Sequence, residues 1–298
     1  MIHHSLKRSF SIFLLLLPIC AMQVGCQNGV FLTQTSDAEE NSTTTTTKTQ
    51  DVEIIAHRGA SHDAPENTLA AVNLAWSHNA DAVEVDVYLS ADNQIVAVHD
   101  KTLKRYGGPD KPIAKMTYQE LQNHEVGRWK DKRFTGEPIP LLIEILKTVP
   151  SDKRLFIEIK CGVEIVPLLK KVLKEANLND SQTCIICFSK DVIAEASNQL
   201  PDIQRYWLVS LKRNQATRKV KPSVESLIQT AQEIDADGLD LGGAIDIINS
   251  KYVAEMEDAG LPVYVWTVNS PEEAIRLKNA GVSGITTDRP KLLKTGQD

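Results

Sequence analysis

Short apolar runs alternate with amphipathic stretches from Glu53 to the end of the chain. Runs beginning near Ile54, Ala82, Ile95, Arg154, Thr183, Gln204, Gly238, Pro262 and Gly284 are bounded by turn residues and read as strands. Segments 66–79, 141–149, 164–177, 190–199, 224–235, 250–259 and 272–280 carry helical spacing. Asn249 or Ser250 can cap one helix and Gly260 stops it, while Ser270-Pro271-Glu272-Glu273 opens the next with proline in its first turn. The runs at 82–90 and 95–98 are joined by only Ala91-Asp92-Asn93-Gln94. A parallel crossover needs about a dozen residues or more, so these two runs form a hairpin and one of them is extra to a parallel set. Eight strands remain. Strand–helix alternation around eight parallel strands predicts an α/β fold, a TIM barrel. A doubly wound open sheet competes, but no glycine-rich phosphate loop follows the first strand.

The alternation fails between Asp100 and Pro140, where Gly107-Gly108-Pro109, Trp129 and Gly136-Glu137-Pro138-Ile139-Pro140 mark a loop-rich insertion, about residues 101–140. It follows a run ending in His99-Asp100, so it is expected over the barrel mouth, shaping the substrate pocket. A structural cover without substrate contact is the competing reading.

Upstream of Glu53 the pattern changes. Lys7 and Arg8 precede an apolar run from Phe10 to Met22, followed by Gln23-Val24-Gly25-Cys26. Residues 1–25 therefore read as a signal peptide, with an apolar run shorter than the about 20 residues that span a bilayer. Val24-Gly25-Cys26 resembles a bacterial lipobox, with Gln23 where that motif usually carries Leu. A lipidated Cys26 is the first expectation, ahead of ordinary cleavage or a retained anchor. Residues 26–52 are polar and Thr-rich and read as a disordered tether, leaving 53–298 as the barrel domain. The protein is thus expected outside the cytoplasm, periplasmic or at the cell surface, held to the membrane by its N-terminus.

Composition narrows the partners. The formal charge is −6, and loss of residues 1–25 removes Lys7 and Arg8 and no acidic residue, giving −8. That opposes nucleic-acid binding. Cys161, Cys184 and Cys187 are an odd number in the domain and match no disulfide or zinc spacing, so buried thiols are expected.

The chemistry lies on the strands. Side chains alternate faces, so Glu84 and Asp86 share one face of their strand, and Glu158 and Lys160 share one face of theirs. Val83, Val85, Val87, Ile157 and Ile159 point the other way, toward helices. Three carboxylates on strand interiors are costly unless their charge is compensated, and a divalent cation is the natural compensator. This predicts a metal-dependent hydrolase. Salt-bridged strand residues, Glu158 with Lys160 for instance, are the competing reading.

His57-Arg58-Gly59, Pro65-Glu66-Asn67-Thr68, Glu84-x-Asp86, His99-Asp100, Glu158-x-Lys160, Gly136-Glu137-Pro138-Ile139-Pro140-Leu141, Trp266-Thr267-Val268-Asn269 and Thr286-Thr287-Asp288-Arg289-Pro290 together resemble the glycerophosphodiester phosphodiesterase family. The resemblance covers essentially the whole domain and implies a TIM barrel with a small insertion. It implies that Glu84, Asp86 and Glu158 bind one divalent cation, Mg²⁺ or Ca²⁺, and that His57 and His99 form the acid–base pair. Arg58 and Lys160 match positions that hold the phosphate. Trp266 walls the substrate pocket or packs the core, and Phe188 has similar standing. Glu66 and Asn67 are divided between structure and function; Asp288 is expected only to end the last strand and start a helix. The implied reaction converts a small glycerophosphodiester to sn-glycerol 3-phosphate and an alcohol. A lysophospholipase D-like lipid phosphodiesterase and a non-catalytic surface lipoprotein are the alternatives.

Overall fold

The computed structural model describes residues 52–296, so the segments expected as a signal peptide (1–25) and, except for Val52, as a tether (26–52) lie outside the described residues. The strands are β1 (Glu53–Ala56), β2 (Ala82–Leu89), β3 (Ile95–Ala97), β4 (Arg154–Ile159), β5 (Thr183–Cys187), β6 (Gln204–Arg213), β7 (Val220–Lys221), β8 (Gly238–Gly243), β9 (Val263–Val265) and β10 (Gly284–Thr287). Eight of them run parallel in the order β1-β10-β9-β8-β6-β5-β4-β2, and β2 pairs back to β1. The sheet is a closed TIM barrel. β3 lies antiparallel against the end of β2, as so short a connection requires. β7 was not expected from the sequence: it is two residues long, set in a polar stretch, and pairs antiparallel with the end of β6.

The helices are α1 (Leu69–Ser77), α2 (Tyr118–Leu121), α3 (Leu142–Leu146), α4 (Val166–Ala176), α5 (Lys190–Gln199), α6 (Val224–Glu233), α7 (Ser250–Glu257), α8 (Pro271–Ala280) and α9 (Pro290–Thr295). α1 begins three residues later than its apolar spacing implies. Asn67 sits at φ 58°, which breaks the helix, and Thr68 then caps it by accepting from the Ala71 amide. Asn249 and Ser270 cap α7 and α8, accepting from the Tyr252 and Glu273 amides.

Strand alternation sorts the core into two layers. Val83, Val85, Val87, Ile157 and Ile159 face outward into the apolar layer beneath the helices. Phe156, Tyr206 and Tyr264 face inward and fill the lumen, with ring centroids 4.7–6.1 Å apart. Full burial of a side chain such as Phe156 contributes roughly 1.5–3 kcal/mol. Below these rings Arg154 donates to Glu53 Oε2 (2.8 Å) and Gln204 Oε1 (2.6 Å), and the Tyr264 hydroxyl also donates to Glu53 (3.1 Å). This ion pair lies at the end of the barrel where the strands start. The three domain cysteines are free. Burial pushes the Cys161 and Cys187 thiols up to about 11 and about 12, which leaves them unreactive.

The insertion has a small core of its own, in which Leu103, Ile113, Leu121 and Ile139 pack on Val96 and Val98. Its helix α2 is closed by a capping box between Thr117 and Glu120, a signal present in the sequence but set in a stretch without helical periodicity.

Candidate active site

β2 and β4 are neighbours in parallel register, with Asp86 opposite Glu158. Glu84, Asp86 and Glu158 therefore project into the lumen just above its aromatic layer, with one oxygen of each within 4.8 Å of the others. They are 2%, 0% and 8% exposed, so water screens their mutual repulsion poorly. Burial, then Asp86 and Glu158, push the Glu84 carboxyl well above its ordinary value. Burial and Asp86, opposed by Lys160, push Glu158 up to about 7. Burial also acts on Asp86, but Arg58 and Lys160 outweigh it and hold that carboxyl below its usual range. Glu84 Oε1 and Asp86 Oδ1 are buried without a hydrogen bond; Asp86 Oδ1 has an ion pair to Lys160 Nζ at 3.4 Å. Three converging carboxylates with such oxygens fit a hard divalent cation. Asp240 on β8 is a further buried carboxyl, pushed well above its ordinary value by burial and by Glu158.

The first βα loop frames this cluster from the side. Arg58 at φ 56° and Gly59 at φ 80° turn the chain tightly enough for the Arg58 amide to donate to Glu84 Oε2 at 2.8 Å. A Cβ on Gly59 would lie 2.5 Å from the Ala71 carbonyl carbon, so the glycine of His57-Arg58-Gly59 is sterically required. Asn67 brackets Asp86: its Nδ2 donates to Asp86 Oδ2 (2.8 Å), and its Oδ1 accepts from the Asp86 amide (2.9 Å). The Arg58 guanidinium lies 3.0 Å from Glu66 and 3.2 Å from Asp86, and Lys160 Nζ lies 2.8 Å from Glu158. The Glu158–Lys160 pair foreseen in the sequence is present, but as part of a cluster that includes Asp86.

Both histidines stand at this level. His57 follows β1, and its Nδ1 lies 2.7 Å from Asp288 Oδ1, at the end of the neighbouring β10. The Asp288 carboxyl also accepts from Ser61 Oγ (3.0 Å) and Asn269 Nδ2 (2.6 Å). Burial pushes Asp288 up, but these partners, His57 foremost, outweigh it and hold the carboxyl well below its ordinary value. His99 arrives by another route. β3 runs back along β2, the Val98 amide donates to the Asp86 carbonyl (3.0 Å), and His99 is thereby returned to the level of the carboxylates. Its Nδ1 lies 2.7 Å from Asp100 Oδ1. Burial raises Asp100, yet hydrogen bonds from Arg105 and His99 leave it below its ordinary value. An ionised carboxylate only accepts, so each imidazole carries a proton on Nδ1.

A cavity of about 540 Å³ opens beside His99, lined by Tyr88, Lys101, Lys104, Arg105 and Lys160 among others. Trp266 follows β9, donates from Nε1 to the Asp240 carbonyl (3.2 Å), and meets exposed Phe188 edge to face at 5.7 Å. A larger groove of about 740 Å³ lies by Val52, Asp81 and Lys294 and holds none of the carboxylates or histidines described above. Asp288 and Arg105 are the neighbours that reading the sequence did not single out for the site, and Asn67, left between structure and function, has its side chain on Asp86. Asp288 had one available signal: a closed barrel sets the first strand beside the last.

The fold and site define an enzyme of the TIM-barrel class with two carboxylate-paired histidines beside a cradle of buried carboxylates. The model of the glycerophosphoryl diester phosphodiesterase family matches residues 57–292, and the chain belongs to that family. It is 32% identical over 256 residues to the Bacillus subtilis protein YhdW, covering 82% of this chain and 98% of that one. It is 29% identical over 245 residues to the glycerophosphodiester phosphodiesterase of Caldanaerobacter subterraneus, covering 80% and 95%. Among solved structures, an Oleispira antarctica phosphodiesterase in complex with the product sn-glycerol-3-phosphate aligns with a TM-score of 0.70 at 29% identity, covering 82% of this chain and 95% of that one.

Proposed function

We propose that this enzyme hydrolyses glycerophosphodiesters to sn-glycerol 3-phosphate and an alcohol. Its acid–base pair is His57 and His99, and its cofactor is one divalent cation, Mg²⁺ or Ca²⁺, at Glu84, Asp86 and Glu158. The observation that carries the reading is the pairing of each imidazole Nδ1 with its own carboxylate, at the level of three buried carboxylates. The product complex of the Oleispira antarctica relative supports the choice of product.

When bound, the cation supplies Lewis-acid stabilisation of charge on the phosphoryl group. Arg58 and Lys160 hold the diester and offset charge that builds on its non-bridging oxygens. One imidazole accepts a proton at Nε2 from the nucleophile, which is water or the glycerol 2-hydroxyl by way of a cyclic phosphate. The other acts as the imidazolium: it keeps its Nδ1 proton on its carboxylate, donates its Nε2 proton to the leaving oxygen and is left neutral. Asp288 and Asp100 keep each ring in the required tautomer. Trp266, with Phe188, walls the substrate.

The cavity beside His99 is lined by charged and polar groups, which favours a small polar diester over a lysophospholipid. Export, with Cys26 as a lipid anchor, fits scavenging of head-group diesters outside the cytoplasm. The test is ³¹P NMR of glycerophosphocholine and lysophosphatidylcholine incubated separately with the enzyme. The reading predicts glycerol 3-phosphate from the first; turnover of the second alone reassigns the enzyme to lipids.

A further inference from the structure

Arg105 lies in the insertion, yet its guanidinium reaches both halves of the site. Nε donates to Asp100 Oδ2 at 2.6 Å, and Nη2 donates to Glu66 Oε1 at 2.6 Å, with Nη1 3.3 Å from Glu66 Oε2. Asp100 holds His99 through its other oxygen, and Glu66 Oε1 also accepts from Arg58 at 3.0 Å. Charges therefore alternate without a break from His99 through Asp100, Arg105, Glu66 and Arg58 to Asp86. Two aromatic rings confine the guanidinium: Tyr106 at 4.5 Å and Trp129 at 5.3 Å from their centroids. That stacking lowers the entropy lost in fixing a long side chain.

The two histidine–carboxylate pairs are held differently. Asp288 is fixed by Asn269 and Ser61, which are neutral donors anchored in the barrel. The Asp100 side chain is 31% exposed, and its second oxygen is held by Arg105. Asp288 is about as exposed, so the two pairs differ in the donor: Asp100 takes its second hydrogen bond from a loop guanidinium, and the direction of the His99 ring depends on that guanidinium. Lysine could not replace it. Two edges of a planar fork serve two carboxylates here, whereas an ammonium is a point charge.

We propose that Arg105 is a positioning residue for hydrolysis: through Asp100 it orients His99, and through Glu66 it steadies Arg58, coupling the insertion to the reacting groups. The proposal rests on the functional reading above for the role of His99. It goes beyond that reading by giving the insertion a part in turnover rather than in covering the barrel alone.

The test compares the wild-type chain with Arg105→Ala, Arg105→Lys, Asp100→Asn and the Arg105→Ala/Asp100→Asn double variant, with Arg128→Ala as a charge-removal control elsewhere on the insertion. Steady-state rates on glycerophosphocholine are measured together with the downfield Nδ1–H proton resonances of the two paired imidazoles. Arg105→Ala is expected to lower kcat by about 10- to 100-fold, the usual scale for a partner that orients a reacting group. The double variant should lose less than the product of the two single losses, because the two changes share the Asp100 branch. Arg105→Lys should stay near the alanine variant. The His99 resonance should broaden or vanish in Arg105→Ala while that of His57 persists. If the alanine variant melts early, Arg105→Gln carries the same comparison. Losses that multiply in the double variant, full recovery with lysine, or an unchanged His99 resonance would each overturn the proposal. A wild type inactive on the diester sinks the functional reading instead, and the resonance comparison then decides alone.

Discussion

Asp288→Asn is the substitution whose consequence follows most directly from the hydrogen bonds around His57. Asp288 Oδ1 faces His57 Nδ1 (2.7 Å) and Ser61 Oγ (3.0 Å), and Oδ2 accepts from Asn269 Nδ2 (2.6 Å). Asparagine turns one of these oxygens into an NH₂. If the amide nitrogen faces Asn269, two donors meet. Asn269 cannot rotate to relieve this, because its Oδ1 already accepts from Thr287 Oγ1 (3.0 Å) and the Asp288 amide (2.9 Å). Leaving a donor unpaired there costs about 1–3 kcal/mol. If the nitrogen faces His57 instead, the ring must accept at Nδ1 and carry its proton on Nε2, the wrong tautomer for accepting a proton from a nucleophile. Either way the imidazole loses its anionic partner. The same exchange in a serine-protease triad lowers kcat by about 10⁴. Asp288 is a third exposed at its side chain, so water replaces part of what is lost. We expect a fall of about 10² to 10³, equivalent to about 3–4 kcal/mol in the barrier. The assay is the initial rate of glycerol 3-phosphate release from glycerophosphocholine at fixed cation concentration, with a melting curve to establish folding. A folded variant within about threefold of the wild-type kcat would refute the reasoning.

Two further outcomes follow from burial. Glu158 is raised to about 7 and Glu84 is raised as well, both above the unfolded-chain value of about 4.3. Without a cation the folded state then binds more protons than the unfolded state; the stability these groups give is complete below about pH 4.3 and is lost as pH rises toward about 7. Cation binding needs ionised carboxylates, so it should release protons near pH 6.5, and the gain in Tm on adding cation should grow with pH across that window. Calorimetry in two buffers of different ionisation enthalpy measures the release, and none at pH 6.5 contradicts the assigned site. Gly242→Ala places a Cβ 2.6 Å from the Trp266 ring, which must move. Overpacking of this kind destabilises by about 1–3 kcal/mol, read by urea unfolding; an unchanged midpoint would show that the indole is not seated on β8.

The barrel could be read from the chain because its strands are short β-branched runs between turns, and because five residues between β2 and β3 admit only a hairpin. The cradle could be read for the same reason: alternate residues of Glu84-Val85-Asp86 and Glu158-Ile159-Lys160 must share a face. What local pattern does not carry is long-range pairing. Asp288 lies 231 residues from His57, and only closure of β10 on β1 joins them. Arg105 sits in a loop whose periodicity says nothing of direction. The start of α1 was misjudged because apolar spacing extends through Asn67, whose left-handed backbone belongs to the bracket on Asp86 rather than to the helix.

The central claim is that the buried carboxylates and the histidines act together on a phosphodiester. Its most direct test is glycerol 3-phosphate release from glycerophosphocholine by the chain from Asp51 onward, stripped with EDTA and then given Mg²⁺ or Ca²⁺. Glu84→Gln and His57→Ala are assayed beside it. The account predicts activity that disappears with EDTA, returns with the cation, and is lost in both variants. Turnover that survives EDTA, or that persists at wild-type rate in either variant, would contradict it.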